Sequence, residues 1–136
     1  MENKILIVAS NYYNEISNNL IKGATIFLKD NKLNYNIIFS PGCFEIPFLI
    51  NNFITDYSGF ISLGCVIRGE TYHFEIISNE CARKITDLSL TFKKPIGFGI
   101  LTCETYGQAI TRSDPNQKNK GKEAASACLE LLKYKQ

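Results

Sequence analysis

Two uninterrupted apolar runs, KILIVA at 4–9 and GFISLGCVI at 59–67, constrain this chain most. A strand built from such a run has no polar face, so it must be covered on both sides. YNIIFS at 35–40 and PIGFGIL at 95–101 bring the predicted strands to four. Pro41-Gly42 stops the second, and Pro95 suits the first position of the fourth. Helical stripes fill the intervals. Residues 14–30 align Ile16, Leu20, Ile21, Ala24, Phe27 and Leu28, and residues 74–92 align Phe74, Ile77, Cys81, Ile85, Leu88 and Phe92. EIPFLINNFI at 45–54 reads as a helix with Pro47 in its first turn. A short helix near 105–112, the polar loop SDPNQKN and a last helix over 121–134 complete the chain.

Strands that alternate with helices imply right-handed crossovers and a parallel sheet. The expectation is an α/β fold with a four-stranded parallel sheet and helices on both faces. At 136 residues the chain forms one domain, 1–136, without repeat or linker. Hydrophobic residues at 45% and charged residues at 21% are ordinary for a globular protein.

A net charge of +2 with scattered lysines gives no basic stripe, so nucleic acid is not an expected partner. No apolar run approaches a membrane span, and MENKILIVAS lacks a basic leader and cleavage site. A cytoplasmic protein is expected. The five cysteines (43, 65, 81, 103, 128) form no C-x-x-C pair and have a single histidine for company, so neither a zinc site nor another metal is expected. An odd count in apolar surroundings suggests reduced, buried thiols.

In parallel α/β sheets, ligands bind outside the carboxyl ends of the strands. That rule singles out four turns: ASNYYN, SPGCFE, RGETYH and LTCETY. The third holds His73, the sole histidine, where a glycine permits close backbone approach and a helix begins. Unpartnered N–H groups there can take a phosphate without a glycine-rich fingerprint. The absence of G-x-G-x-x-G and of a P-loop lysine disfavours a dinucleotide or nucleoside triphosphate. On these rules His73 is either an acid/base or a helix-capping residue. Phe44 either stacks on a flat heterocycle or packs in the core, and Glu45 contacts the ligand or caps a helix dipole. Tyr12 and Tyr13 are open between the same roles. Arg112 is a charge at a helix C-terminus or, with Lys120, an anion clamp.

PGCFEIP (41–47), LGCVIRGETYHFE (63–75), PIGFGILTCETYGQAITR (95–112) and NKGKEAA (119–125) together resemble 6,7-dimethyl-8-ribityllumazine synthases. Order and spacing agree from Lys4 to the final helix. The resemblance implies a flavodoxin-like, three-layer α/β/α sandwich with no cofactor. It also implies condensation of 5-amino-6-(D-ribitylamino)uracil with 3,4-dihydroxy-2-butanone 4-phosphate, in the penultimate step of riboflavin biosynthesis.

The same resemblance implies roles for individual residues. Tyr12 falls where an aromatic ring stacks on the pyrimidine, and Tyr13 replaces the commoner Asn. Cys43, Phe44 and Glu45 match the segment along the ribityl chain. Cys43 stands where Ala or Ser is usual, so it is not read as a nucleophile. Val66 and Ile67 match main-chain contacts to the pyrimidine. Glu70 and Thr71 match the phosphate-holding turn, and His73 matches the general acid/base. Phe98, Arg112 and Lys120 match residues that enter from a neighbouring subunit: a ring beside the heterocycle, the phosphate clamp and a nearby ammonium. Arg68 is read as structural.

Two alternatives stay open at this point: an archaeal-type riboflavin synthase of the same fold, and a non-catalytic lumazine- or flavin-binding scaffold. The resemblance also implies a homo-oligomer with sites at subunit interfaces, with riboflavin synthase as a candidate protein partner. Because the chain starts almost at its first core strand, a homopentamer is expected over the icosahedral 60-mer.

Overall fold

Four strands pair in parallel in the spatial order second, first, third, fourth. The computed structural model describes residues 3–134. In chain order the elements are β1 (Lys4–Ser10), α1 (Asn14–Asp30), β2 (Asn34–Ser40), a 3-10 turn (Cys43–Glu45), α2 (Ile46–Asn52), β3 (Gly59–Ile67), α3 (His73–Phe92), β4 (Ile96–Cys103), α4 (Tyr106–Ser113) and α5 (Lys120–Leu132). Ile7 of β1 lies opposite Ile37 on one side and Ile61 on the other, so β1 and β3 are central.

Side-chain alternation along the strands splits the core into two layers. Ile5, Ile7, Ala9, Ile61, Leu63 and Leu101 face α1, α4 and α5. Leu6, Val8, Phe60, Val66, Ile96 and Ile100 face α2 and α3. This is the α/β/α sandwich, and it explains why the two central strands lack polar alternation. Each fully buried side chain such as Phe60 or Leu63 contributes about 1.5–3 kcal/mol of burial free energy.

Helix α5 packs unusually close. A Cβ on Gly97 would lie 2.0 Å from the Ala124 carbonyl oxygen, and one on Gly121 would lie 2.1 Å from that of Leu20. Asn119 starts this helix from the left-handed region, φ 48°, with its side-chain oxygen accepting from Lys122 N–H at 3.3 Å. The N-K-G sequence thereby fixes where Lys120 stands.

Several boundaries differ from expectation, most by one or two residues. The predicted helix over 45–54 is a 3-10 turn followed by α2, and the chain leaves α2 after Asn52. Phe53 and Ile54 carry apolar side chains but sit in a turn, where Ile54 still packs in the core. Pro95 precedes β4 instead of opening it, and its carbonyl accepts from Phe60 N–H at 2.9 Å. Helix α5 begins at Lys120 and ends at Leu132. Among the described residues no helix is long and apolar enough to cross a membrane.

Candidate active site

The carboxyl ends of β1, β2 and β3 open around a cavity of about 540 Å³, a size suited to a small organic ligand. Ser10 ends β1 and Tyr12 and Tyr13 follow it, Pro41 to Glu45 follow β2, and Cys65 to Ile67 close β3. His73, Ile76 and Ile77 reach in from the first turns of α3. Spacings of three and four residues put these last three on one helical face.

Seven of the predicted residues therefore share one wall: Tyr12, Cys43, Phe44, Glu45, Val66, Ile67 and His73. Tyr12 is 73% exposed and Phe44 52% exposed, so each offers a ring to a ligand instead of to the core. Tyr13 stands edge-on to Tyr12 with centroids 4.9 Å apart and leans toward Tyr106 at 6.2 Å. Tyr106 in turn donates its hydroxyl to Glu15 at 3.1 Å. Burial pushes the Tyr13 phenol pKa up, so it stays protonated at neutral pH.

His73 is exposed at the first position of α3, its backbone N–H directed at Thr71 Oγ1, 3.3 Å away. Tyr72 caps the helix without a side-chain hydrogen bond, which leaves first-turn N–H groups for an anion. Glu70 and Thr71 lie exposed in the loop just before, beside the cavity wall but not in it. Arg68 organises this loop. It donates Nε to Glu104 at 2.6 Å and Nη1 to Glu75, and its guanidinium lies 4.5 Å from the Phe74 ring centroid. The hydrogen bond to Glu104, then that to Glu75, raises its pKa further. The loop is thus tied to the end of β4 and the first turn of α3, which agrees with a structural Arg68.

The thiols are not placed for nucleophilic work. All five are free and buried. Burial pushes Cys43 up to about 11, against a smaller lowering by Ser10, and pushes Cys65 up to about 12. A thiol at such values carries little thiolate at neutral pH. No group of three His, Cys, Asp or Glu side chains among the described residues is placed to hold a metal.

Three expected residues lie away from this cavity within the chain. Phe98 projects from edge strand β4, 45% exposed, into a separate groove against α3. Arg112 is exposed near the end of α4, with Nη1 3.3 Å from the Gln108 carbonyl. Lys120 opens α5, paired with Glu123 at 3.1 Å.

Sequence reasoning did not assign Ser10, Pro41, Gly42, Cys65, Ile76 or Ile77 to the site. Ile76 was legible as the position one turn after His73 on its helix. Ser10 was legible only as the polar terminus of an otherwise apolar strand.

A doubly wound parallel sheet with a polar-aromatic cavity at its strand ends, a histidine at a helix start and no dinucleotide fingerprint defines a small-molecule enzyme of the α/β/α class. The model of the 6,7-dimethyl-8-ribityllumazine synthase family matches residues 2–136. A 6,7-dimethyl-8-ribityllumazine synthase of Bartonella bacilliformis is 44% identical over 96% of this chain and 89% of the relative. Those of Agrobacterium fabrum and Novosphingobium aromaticivorans are 42% and 45% identical, over 96% and 95% of this chain and 93% and 94% of the relatives. The chain belongs to the 6,7-dimethyl-8-ribityllumazine synthase family, and is a transferase of riboflavin biosynthesis.

Proposed function

We propose that the cavity performs the family's condensation with His73 as its acid/base, Tyr12 stacked on the pyrimidine, Phe44 beside the ribityl chain, and Glu45 accepting hydrogen bonds from ribityl hydroxyls. The observation that carries this reading is the convergence of His73, Glu45, Tyr12 and Phe44 on one cavity, from three different strand-to-helix turns. Val66 and Ile67 supply main-chain contacts to the ring, and Cys43 lines the ribityl side as a neutral thiol.

The pyrimidine's amine attacks the ketone of 3,4-dihydroxy-2-butanone 4-phosphate, and loss of water from the carbinolamine gives an imine. Proton removal beside the imine expels phosphate, the enol tautomerises to a ketone, and the remaining amine attacks that carbonyl and closes the ring with loss of a second water. Each step moves a proton near neutral pH, which suits an imidazole. The backbone N–H groups of Glu70 and Thr71, with those of the first turn of α3, hold the phosphate until it leaves.

Arg112, Lys120 and Phe98 complete the site from a neighbouring subunit. None of them lines its own chain's cavity, which supports this, as do the exposed apolar side chains of Phe48, Leu90 and Phe98. The assembly is a homopentamer, and light scattering separates it from a shell of sixty. Five buried, unpaired thiols support a reducing compartment, the cytoplasm.

The decisive assay mixes purified protein with both substrates and follows absorbance and fluorescence of the lumazine product. Product formation supports the synthase. Conversion of supplied lumazine to riboflavin, or binding without turnover, overturns it.

A further inference from the structure

Ser10, the last residue of β1, takes no part in the roles above, yet it lies at the most enclosed part of the cavity wall. Ser10 is 2% exposed and its neighbours Cys43 and Cys65 are 5% and 7% exposed, whereas Tyr12 and Phe44 stand at the open rim. Its Oγ has no oxygen or nitrogen partner among the described residues, and the Cys43 sulfur is the one group within its reach. A buried hydroxyl in that state is disfavoured, and one that faces a cavity is placed for a ligand.

The surroundings leave one internal partner, and it is a poor one. The Cys43 thiol beside it is a weak partner and directs its own proton to the Cys65 carbonyl, 3.8 Å away. The Ser10 carbonyl is held by Ser17 Oγ, which fixes the backbone from which the hydroxyl projects. Packing is tight beneath: a Cβ on Gly64 would meet Cys43 Sγ at 2.7 Å and Ser10 Cβ at 3.2 Å. The side chain has the cavity in front of it and filled core behind.

We propose that Ser10 Oγ hydrogen-bonds the polyol chain of the pyrimidine substrate and is a binding and specificity residue of this enzyme. The inference rests on the proposed function, which puts the Cys43–Glu45 segment along that chain. A serine hydroxyl both donates and accepts, as does each hydroxyl of a polyol. A phosphate would call for charge, and the turn proposed to hold it, Glu70-Thr71, lies outside the wall that Ser10 shares with Cys43 and Cys65. A site that hydrogen-bonds a substrate hydroxyl also rejects analogues that lack it.

Ser10→Ala tests this with stability and binding read together. The melting temperature is expected to stay level or rise, because an unsatisfied buried hydroxyl is removed. KM and calorimetric Kd for the pyrimidine are expected to rise about threefold to tenfold. KM for the phosphate substrate and the pH profile are expected to stay unchanged. Preference for the ribityl compound over an analogue lacking one chain hydroxyl is expected to shrink. An unchanged pyrimidine Kd overturns the proposal, as does a lowered melting temperature with both KM values shifted together. Calorimetry needs no turnover, so a wild-type protein that binds without reacting sinks the proposed function and still decides the role of Ser10.

Discussion

His73 stands exposed at the head of α3, with no hydrogen bond to its ring from the described side chains, and in the proposed role it acts on atoms that the surrounding turns must bring to it. General acid/base help is worth about 10²–10⁴-fold, while positioning two substrates supplies effective molarities of about 10⁵ M or more. His73→Ala is therefore expected to lower kcat by two to four orders of magnitude without abolishing it, measured as lumazine formed at saturating substrates. The role proposed for Arg112 is different, a charge-assisted hydrogen-bond donor to phosphate. Arg112→Ala is expected to raise KM for the phosphate substrate about tenfold to a hundredfold, with the pyrimidine's Kd little changed. An unaltered KM would remove Arg112 from the clamp. His73, Phe44 and Glu45 were legible in the sequence because each falls in a turn at the carboxyl end of an apolar run. Ser10 was not, because a strand-terminal serine looks the same whether its hydroxyl meets solvent, backbone or a cavity.

Strand β3 was legible to the residue because an unbroken apolar run leaves only one way to be covered on both faces. The helix after β2 was not, because Phe53 and Ile54 extend the apolar pattern past the point where the backbone turns. There, Phe53 N–H is shared between the Leu49 and Ile50 carbonyls at 3.2 Å each. Nor did the pattern disclose how closely α5 approaches, which depends on side chains being absent. Gly121 is where α5 meets the Leu20 carbonyl, and Gly97 is where it meets β4. Gly121→Ala forces backbone apart and is expected to cost about 1–3 kcal/mol, read as a lower midpoint in chemical denaturation. Because the same helix start carries Lys120, the variant is also expected to lose activity at temperatures where it remains folded. Full activity would show that Lys120 tolerates displacement.

Burial of the thiols couples the fold as a unit to pH. Burial holds Cys128 up to about 12 and Cys43 up to about 11. In the unfolded chain each titrates near its ordinary value, so between about pH 9 and pH 11 the folded state keeps protons that the unfolded state gives up. Their stabilisation is complete below about pH 9 and is lost as pH rises through the folded values. Cys128→Ala is expected to be less stable at pH 7 yet to lose stability less steeply above pH 9, in denaturation curves run at each pH. The proposed division of the site between subunits makes a stronger demand. If His73 serves one cavity and Arg112 reaches it from the next chain, His73→Ala and Arg112→Ala chains repair each other only in mixed rings. A closed ring with heterologous contacts gives each cavity one neighbour. Co-refolding the two variants in equal amounts then leaves about one cavity in four with both groups intact, so activity assayed with the phosphate substrate well below the raised KM of Arg112→Ala is expected to recover to about a quarter of wild type. Mixing the folded variants without subunit exchange is expected to recover none. Recovery in neither case would place both residues in service of the same chain's cavity and end the shared-site reading.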